Sequence, residues 1–371
     1  MLLSLLVYLQ SLRWVVPTAV MLGSAPAYIT AWMAVRMATA ILPRRYYRRG
    51  DDLLYSAYQR LVLFFFENYT GVEIYLYGDT DVLTSKQENV LYMSNHQCTV
   101  DWVVCDMLAI RQGMLGTLRY VLKDGLRFFP LYGFYLAQHD CLYVKRSGKF
   151  DKDRASRQLE RLQRDKTPTW FVVFPEGTRF NPELPDVIKK SQEFAKAQGY
   201  PVLHHVLTPR YRALQVGLLQ MRTCLDAVYD ITIAYGNTVA KETGERLSSP
   251  GMPEFLQGGS KQLHLHISRI PLSEVPDKEE KLSQWVQQRF QEKEKLLSHF
   301  YSTNNSCSEP RQCFPGKRVV SSLPLSSTAP AFIFWGGLFT AVLATSEGRA
   351  LYWKVALGST AAGCLWMAAR S

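Results

Sequence analysis

No internal repeat runs through the sequence, and none of the RNP, zinc-finger or helix-turn-helix patterns of nucleic-acid binding is present. Acidic residues are in short supply, 32 against 43 basic ones, which leaves a net charge of +11. A basic surplus suits anionic lipid surfaces and phosphorylated ligands, and without a nucleic-acid motif it favours a membrane over nucleic acid. Cysteines number seven, scattered at positions 98, 105, 141, 224, 307, 313 and 364. An odd, unpatterned set reads as reduced thiols in a cytosol-facing protein, not as a disulfide framework. Charged residues make up 20% of a chain that is 47% hydrophobic and 12% aromatic. That balance excludes a many-span transporter and suits a folded catalytic domain carrying membrane segments.

Charge is wholly absent from Trp14 to Val35. At about 1.5 Å per residue the stretch reaches roughly 33 Å, enough to cross the hydrocarbon core. It is too long for a signal peptide and has no small-residue cleavage site. Pro17 and Pro26 leave a kinked, one-leaflet hairpin open as the alternative. Arg36, Arg44, Arg45, Arg48 and Arg49 follow it, against Arg13 before it, so the next domain is expected on the cytosolic side. Residues 330–346 and, apart from Lys354, 351–369 are again apolar. Separated by Glu347-Gly348-Arg349, they read as a helical hairpin with both ends cytosolic, and Gly336, Gly337, Gly358 and Gly363 permit close helix approach. Residues 301–325 are rich in Ser, Pro and Asn and read as linker. The organisation expected is a membrane segment over 1–50, a catalytic domain over 51–300, a linker over 301–329 and a membrane hairpin over 330–371.

Strands are expected at 71–77, 90–93, 142–146, 170–173, 227–234 and 263–268, and helices at 53–66, 102–110, 150–166, 186–198 and 281–300. Gly125 to Gly133 is aromatic and turn-punctuated, read either as lipid-touching surface or as core. His264 and His266 share a strand face but have no third ligand at metal spacing, so no metal site is expected.

Between the strand at 90–93 and the helix at 102–110 stands Asn95-His96-Gln97-Cys98-Thr99-Val100-Asp101. Five residues on a helix separate side chains by about 140°, so His96 and Asp101 meet only if His96 lies in the turn. Thr99 is then the expected N-cap and Asp101 lies in the first helical turn, stabilised by the helix dipole. An anionic carboxylate on one imidazole nitrogen leaves the other nitrogen as a base. The alternative is a polar-turn histidine and a helix-start charge. Phe174-Pro175-Glu176-Gly177-Thr178-Arg179 follows the strand at 170–173 in the same way, with a glycine for close backbone approach and an arginine fork suited to phosphate. Cys98 lies between His96 and Asp101, at an awkward spacing for a nucleophile.

N-H-x-x-x-x-D followed by F-P-E-G-T-R resembles the glycerophospholipid acyltransferase family. Val206-Leu207-Thr208-Pro209-Arg210 and the apolar tail look closest to its epsilon-type lysophosphatidic acid acyltransferases. The resemblance implies an α/β fold, a central mixed sheet flanked by helices, with membrane helices at both ends. It implies transfer of a fatty acyl group from acyl-CoA, as co-substrate with no bound cofactor, to the sn-2 hydroxyl of lysophosphatidic acid. His96 and Asp101 would be the catalytic pair, with no covalent enzyme intermediate. Glu176, Gly177, Thr178 and Arg179 would bind the glycerol phosphate, with Arg146 assisting. One departure stands out: the family's glycine before that arginine aligns with Cys141, preceded by Asp140. A head-group-bearing lysophospholipid as acceptor, a membrane thioesterase and a non-catalytic homologue remain as alternatives. The membrane implied is the endoplasmic reticulum, the mitochondrial outer membrane or both.

Overall fold

A computed structural model describes residues 12–145, 152–240, 242–302 and 313–369. Its centre is an eight-stranded mixed sheet in the order β4-β3-β5-β2-β6-β7-β1-β8. The strands are β1 (Glu73–Gly78), β2 (Val90–Ser94), β3 (Leu118–Lys123), β4 (Leu142–Val144), β5 (Trp170–Val173), β6 (Ala227–Tyr235), β7 (Gln262–Pro271) and β8 (Val319–Ser321). Pairing is parallel except between β6 and β7 and between β1 and β8. In β2, β5 and β6 every residue is buried, as expected of inner strands covered on both faces.

Alternation along these strands feeds two cores. Val90, Tyr92, Trp170 and Val172 face one, Leu91, Met93, Phe171 and Val173 the other. The first core is closed by α1 (Val15–Gly23), α2 (Ala25–Ala38), α3 (Arg44–Leu63) and α5 (Asp101–Arg111), the short α4 (Val82–Ser85) adding Leu83. Beyond them come α6 (Tyr132–Gln138), α7 (Lys152–Arg164), α8 (Pro185–Ala197), α9 (Arg212–Met221), α10 (Met252–Leu256) and α11 (Glu279–Ser302). The second core takes Leu159 of α7, Leu214 and Leu218 of α9, and Leu282, Val286, Phe290 and Leu297 of α11, at helical spacing.

The terminal segments are helical but not straight. Val15–Ala38 is long and apolar enough, as a run of 24 residues, to cross a membrane, and it is interrupted at Ser24 between α1 and α2. Pro26 lacks the amide that a continuous helix would use, which accounts for the break. At the other end the chain bends by 114° between α12 (Ala329–Ala344) and α13 (Ser346–Ala369), turning back without bringing the two helices antiparallel. Residue 345 turns extended there, with φ −110° and ψ 155°, and forbids a continuous helix. Both helices pack on the helices that cover the sheet. Buried Trp335 donates to the Ala57 carbonyl at 3.3 Å and stands edge-on to Tyr58, and Trp366 meets Phe134 edge to face at 5.0 Å.

Two expectations need correcting. The presumed linker over 301–329 contains β8, which adds antiparallel to β1 and enlarges the sheet. It went unread because three residues of an edge strand carry too short an alternation to register. Cys313 is disulfide-bonded, whereas Cys98, Cys105, Cys141, Cys224 and Cys364 are free; scattered spacings carry no pairing information. The Gly125–Gly133 stretch divides: Leu126, Phe128 and Phe129 are exposed, and Gly133 packs against backbone carbonyls. His264 is core, bonded through Nδ1 to the Tyr77 hydroxyl, and burial pushes its pKa down to about 3.

The turn before β3 is tightly set against α3. A Cβ on Gly116 would stand 2.3 Å from the Asp52 carbonyl oxygen. Gly116→Ala is therefore expected to lose about 1–3 kcal/mol, the usual cost of overpacking, read as a lower unfolding temperature in detergent micelles.

Candidate active site

Parallel strands β5, β2 and β6 lie side by side, so their carboxyl ends point the same way, with Met93 beside Val173 and Ser94 beside Ile231. Ligand sites of open α/β sheets form at such ends. Beyond β2 the chain leaves the sheet, and Asn95 continues the ladder with its side chain. Its Nδ2 donates to the Ile233 carbonyl at 3.0 Å and its Oδ1 accepts from the Ile233 amide at 2.8 Å. His96 thereby starts from a fixed point.

His96 and Asp101 meet. The Nδ1 of His96 lies 2.7 Å from Asp101 Oδ2, with His96 20% exposed and Asp101 fully buried. A carboxylate accepts only, so Nδ1 carries the proton and Nε2 is left as the basic nitrogen. The ring rests on Phe174, centroids 4.6 Å apart. Asp101 is not merely a helix-start charge. Its Oδ2 also accepts from the amides of Gln97 and Cys98 at 2.6 and 3.0 Å, and its Oδ1 accepts from the Tyr235 hydroxyl at 2.7 Å.

That arrangement corrects one detail. The N-cap position of α5 is Val100, with no side-chain cap, so Thr99 does not serve there. The turn is instead closed by Asp101 reaching back to the amides that precede it. Those of Gln97 and Cys98 are consequently spent on Asp101, not free to receive an oxyanion. Cys98 is 4% exposed, and burial, then the Asp101 charge, holds its thiol well above the usual range.

Glu176 reaches the same turn from the end of β5. It is buried, and its two oxygens accept from the His96 amide at 2.7 Å and the Leu207 amide at 2.8 Å. It therefore clamps three loops together instead of presenting an open carboxylate to glycerol phosphate. Burial pushes its pKa up to about 8, against the pull of the two amides. Gly177 has φ +68°, a conformation that favours glycine, and its amide closes a turn onto the Phe174 carbonyl at 3.0 Å. Its role is the turn, and that amide does not stand open to an anion. Thr178 is half-buried and Arg179 exposed, with the Arg210 amide tied to the Pro175 carbonyl at 2.7 Å. The block containing Leu207 and Arg210 is thus joined to the glutamate turn at both ends.

Arg146 lies outside the described residues. Cys141 is 2% exposed and turned into the core, where Sγ accepts from the Tyr120 amide at 3.4 Å. Burial raises its pKa to about 11. The left-handed backbone of this turn falls one residue earlier, at Asp140 with φ 61°, a residue type that tolerates it. The left-handed position of this turn is therefore at Asp140, and the Cys141 side chain packs inward.

Sequence reading missed Asn95, Gln97 and Tyr235. Gln97 sends Nε2 to the Ile233 carbonyl and accepts at Oε1 from Ser249 and Tyr301. Asn95 and Gln97 flank His96 and were visible in that sense; Tyr235, 134 positions beyond Asp101, had no local signal. Elsewhere Asp51, Asp52 and His139 bring ligand-type atoms within 4.8 Å of one another. Arg119 donates into that cluster, to Asp52 at 2.5 Å and to His139 Nε2 at 2.8 Å, so a guanidinium already supplies the cation.

A family model described as Acyltransferase matches residues 74–235, and one described as Acyltransferase C-terminus matches residues 254–335. The chain is similar to the 1-acyl-sn-glycerol-3-phosphate acyltransferase epsilon of Mus musculus, 47% identical over 99% of each chain. It is 28% identical to a probable 1-acyl-sn-glycerol-3-phosphate acyltransferase 5 of Arabidopsis thaliana, covering 80% of this chain and 76% of the other. Among solved structures, the 1-acyl-sn-glycerophosphate acyltransferase of Thermotoga maritima aligns with a TM-score of 0.42 at 17% identity, over 78% of this chain and 98% of that one.

The raised Glu176 pKa makes a signed prediction. An acid whose folded pKa exceeds its unfolded value contributes stability fully below about 4.5 that is lost as pH rises through about 8. Glu176→Gln removes that titration and leaves one buried amide without an acceptor. The variant is expected to melt below the wild type at pH 5, with the gap narrowing towards pH 8.5, as followed by thermal unfolding.

Proposed function

Since the chain belongs to the 1-acyl-sn-glycerol-3-phosphate acyltransferase family, we propose that it moves a fatty acyl group from acyl-CoA to the sn-2 hydroxyl of lysophosphatidic acid. The observation that carries the mechanism is the His96–Asp101 pair, 2.7 Å apart, with the imidazole at the surface and the carboxylate beneath it. The Nε2 of His96 takes the hydroxyl proton as the sn-2 oxygen attacks the thioester carbonyl. The tetrahedral adduct collapses, the C–S bond breaks, and the imidazolium returns its proton to the departing CoA thiolate. Asp101 keeps the tautomer and stabilises the imidazolium, and Tyr235 holds Asp101. The alcohol is itself the nucleophile, so no covalent enzyme intermediate forms; the burial of Cys98 supports this.

Arg179 and Thr178, with Arg146, take the glycerol phosphate, and Glu176 and Gly177 serve it indirectly by shaping their turn. The surplus of guanidinium groups suits a phosphate-bearing acceptor better than the water of a thioesterase. The apolar terminal helices anchor the chain in a bilayer, with the catalytic domain cytosolic, in the endoplasmic reticulum or the mitochondrial outer membrane. The exposed Phe128 and Phe129 touch the acyl-chain region.

CoA release from oleoyl-CoA by membranes carrying the chain is expected to require lysophosphatidic acid. His96→Ala should lower that release by about 10³-fold, the scale of losing a general base. Release that persists without acceptor overturns the proposal in favour of a thioesterase. A second substitution tests the support beneath the base. Tyr235→Phe removes one of the bonds to a buried carboxylate, and kcat should fall about tenfold, roughly 1.4 kcal/mol, with KM for the acceptor unchanged. A changed KM with intact kcat would instead place Tyr235 in acceptor binding.

A further inference from the structure

A cavity of about 520 Å³ opens where the connection between α2 and α3 meets α6, α7 and α13. Its volume falls within the range of small-ligand sites. Three guanidinium groups line it: Arg36 from α2, Arg44 from the start of α3 and Arg161 from α7. Asp140 is its one acidic lining residue, and that carboxylate is already paired with buried Arg48. Arg44 makes a loose, exposed pair with Asp165 at 3.8 Å, of a kind worth little. Among the described residues no carboxylate pairs with Arg36 or Arg161.

Arg36 is also held in place. Its guanidinium lies 4.4 Å over the Tyr47 ring, and the Tyr47 hydroxyl accepts from Trp32 Nε1 at 3.2 Å. A stacked, pre-positioned fork loses little freedom when it binds a tetrahedral anion. The concavity therefore holds surplus positive charge that a phosphate would neutralise, with planar donors matched to phosphate oxygens.

The remaining wall and its surroundings are apolar. Leu42 and Trp366 line the cavity. Met37, Ile41 and Leu365 stand nearby in sequence and are 76%, 94% and 72% exposed. Arg36 and Arg44 also flank the end of the apolar run Val15–Ala38, the level at which a bilayer changes from hydrocarbon to headgroup. Anion recognition beside exposed hydrocarbon is the chemistry of an amphiphile. The cavity is not the catalytic site. Asp140 precedes the amino end of β4, whereas His96 follows the carboxyl end of β2, and the strands between them are all parallel.

We propose that this cavity binds the phosphate of an anionic phospholipid of the surrounding bilayer, a lipid that is not the reacting one. The choice of a lipid as the source of the phosphate rests on the membrane placement proposed above; the preference for phosphate rests on the arginines alone.

The test uses the full chain in neutral detergent, titrated with dihexanoylphosphatidylglycerol, dihexanoylphosphatidylcholine or CoA while unfolding temperature is followed. The phosphatidylglycerol should give a saturable upward shift in the wild type and equally in His96→Ala, and phosphatidylcholine none. Arg36→Gln/Arg161→Gln should lose that shift while keeping the wild-type unfolding temperature without lipid and the wild-type acyl transfer. Should the double variant fold poorly, Arg161→Gln alone, on the outer face of α7, should weaken apparent lipid affinity several-fold. An undiminished shift in these variants overturns the site. A shift by CoA that the same variants abolish overturns the lipid in favour of a soluble phosphate. Flotation of the wild type with phosphatidylcholine vesicles reads the membrane placement separately, so its failure is distinguishable from failure of the cavity.

Discussion

The carboxylate of Asp101 has no exposed surface, yet it is the point at which three elements of the fold converge. It accepts from the His96 imidazole, from two amides of the turn between β2 and α5, and from Tyr235 at the end of β6. A buried carboxylate is costly unless nearly every lone pair is used, and breaking one partnership leaves the remainder uncompensated. The turn is thus constrained by electrostatics as much as by chain geometry. His96 has little freedom to drift from its carboxylate without exposing that cost. The tautomer and aim of the imidazole are thereby settled before any ligand arrives.

Glu176 repeats the device one loop away with a different result. Its oxygens take amides from the His96 turn and from Leu207, so the second motif is fastened to the first through backbone groups. Two acidic residues in two conspicuous motifs therefore divide the work: Asp101 serves the imidazole directly, and Glu176 serves the loops that frame it. Their surroundings explain the division. Asp101 has a hydroxyl and an imidazole among its donors, whereas Glu176 has two amides and heavy burial, enough to push its pKa up to about 8. Beside them Arg179 is exposed and Thr178 half-buried.

Apolar terminal helices in such a chain are easily pictured as tethers. Here they are part of the packing. Trp335 and Trp366 insert among aromatic residues of α3 and α6, and α13 helps enclose the arginine-lined cavity. The apolar terminal helices and the helices covering the sheet thus share one set of contacts, and a lipid bound at the foot of α2 would press on those same helices. The buried Arg119–Asp52 and His139–Asp51 pairs beneath α3 secure that layer from below.

Much of this was legible in the sequence, where the deciding physics is local. Continuous apolar runs marked β2 and β5, helical spacing marked α11, and the five-residue offset from His96 to Asp101 required a turn followed by a helix. An uncharged stretch long enough for a bilayer was equally plain. What stayed hidden depends on residues far apart in the chain. The eighth strand, the tie from Tyr235 to Asp101, the amide partners of Glu176 and the meeting of Arg36 with Arg161 leave no trace in periodicity or composition. The left-handed turn at Asp140, beside Cys141, is likewise a property of the folded backbone alone. Residue type and spacing determined which groups were able to do chemistry. Only tertiary packing decided which of them face a ligand and which are consumed holding the site, because every buried polar group must find its partner wherever the fold brings one.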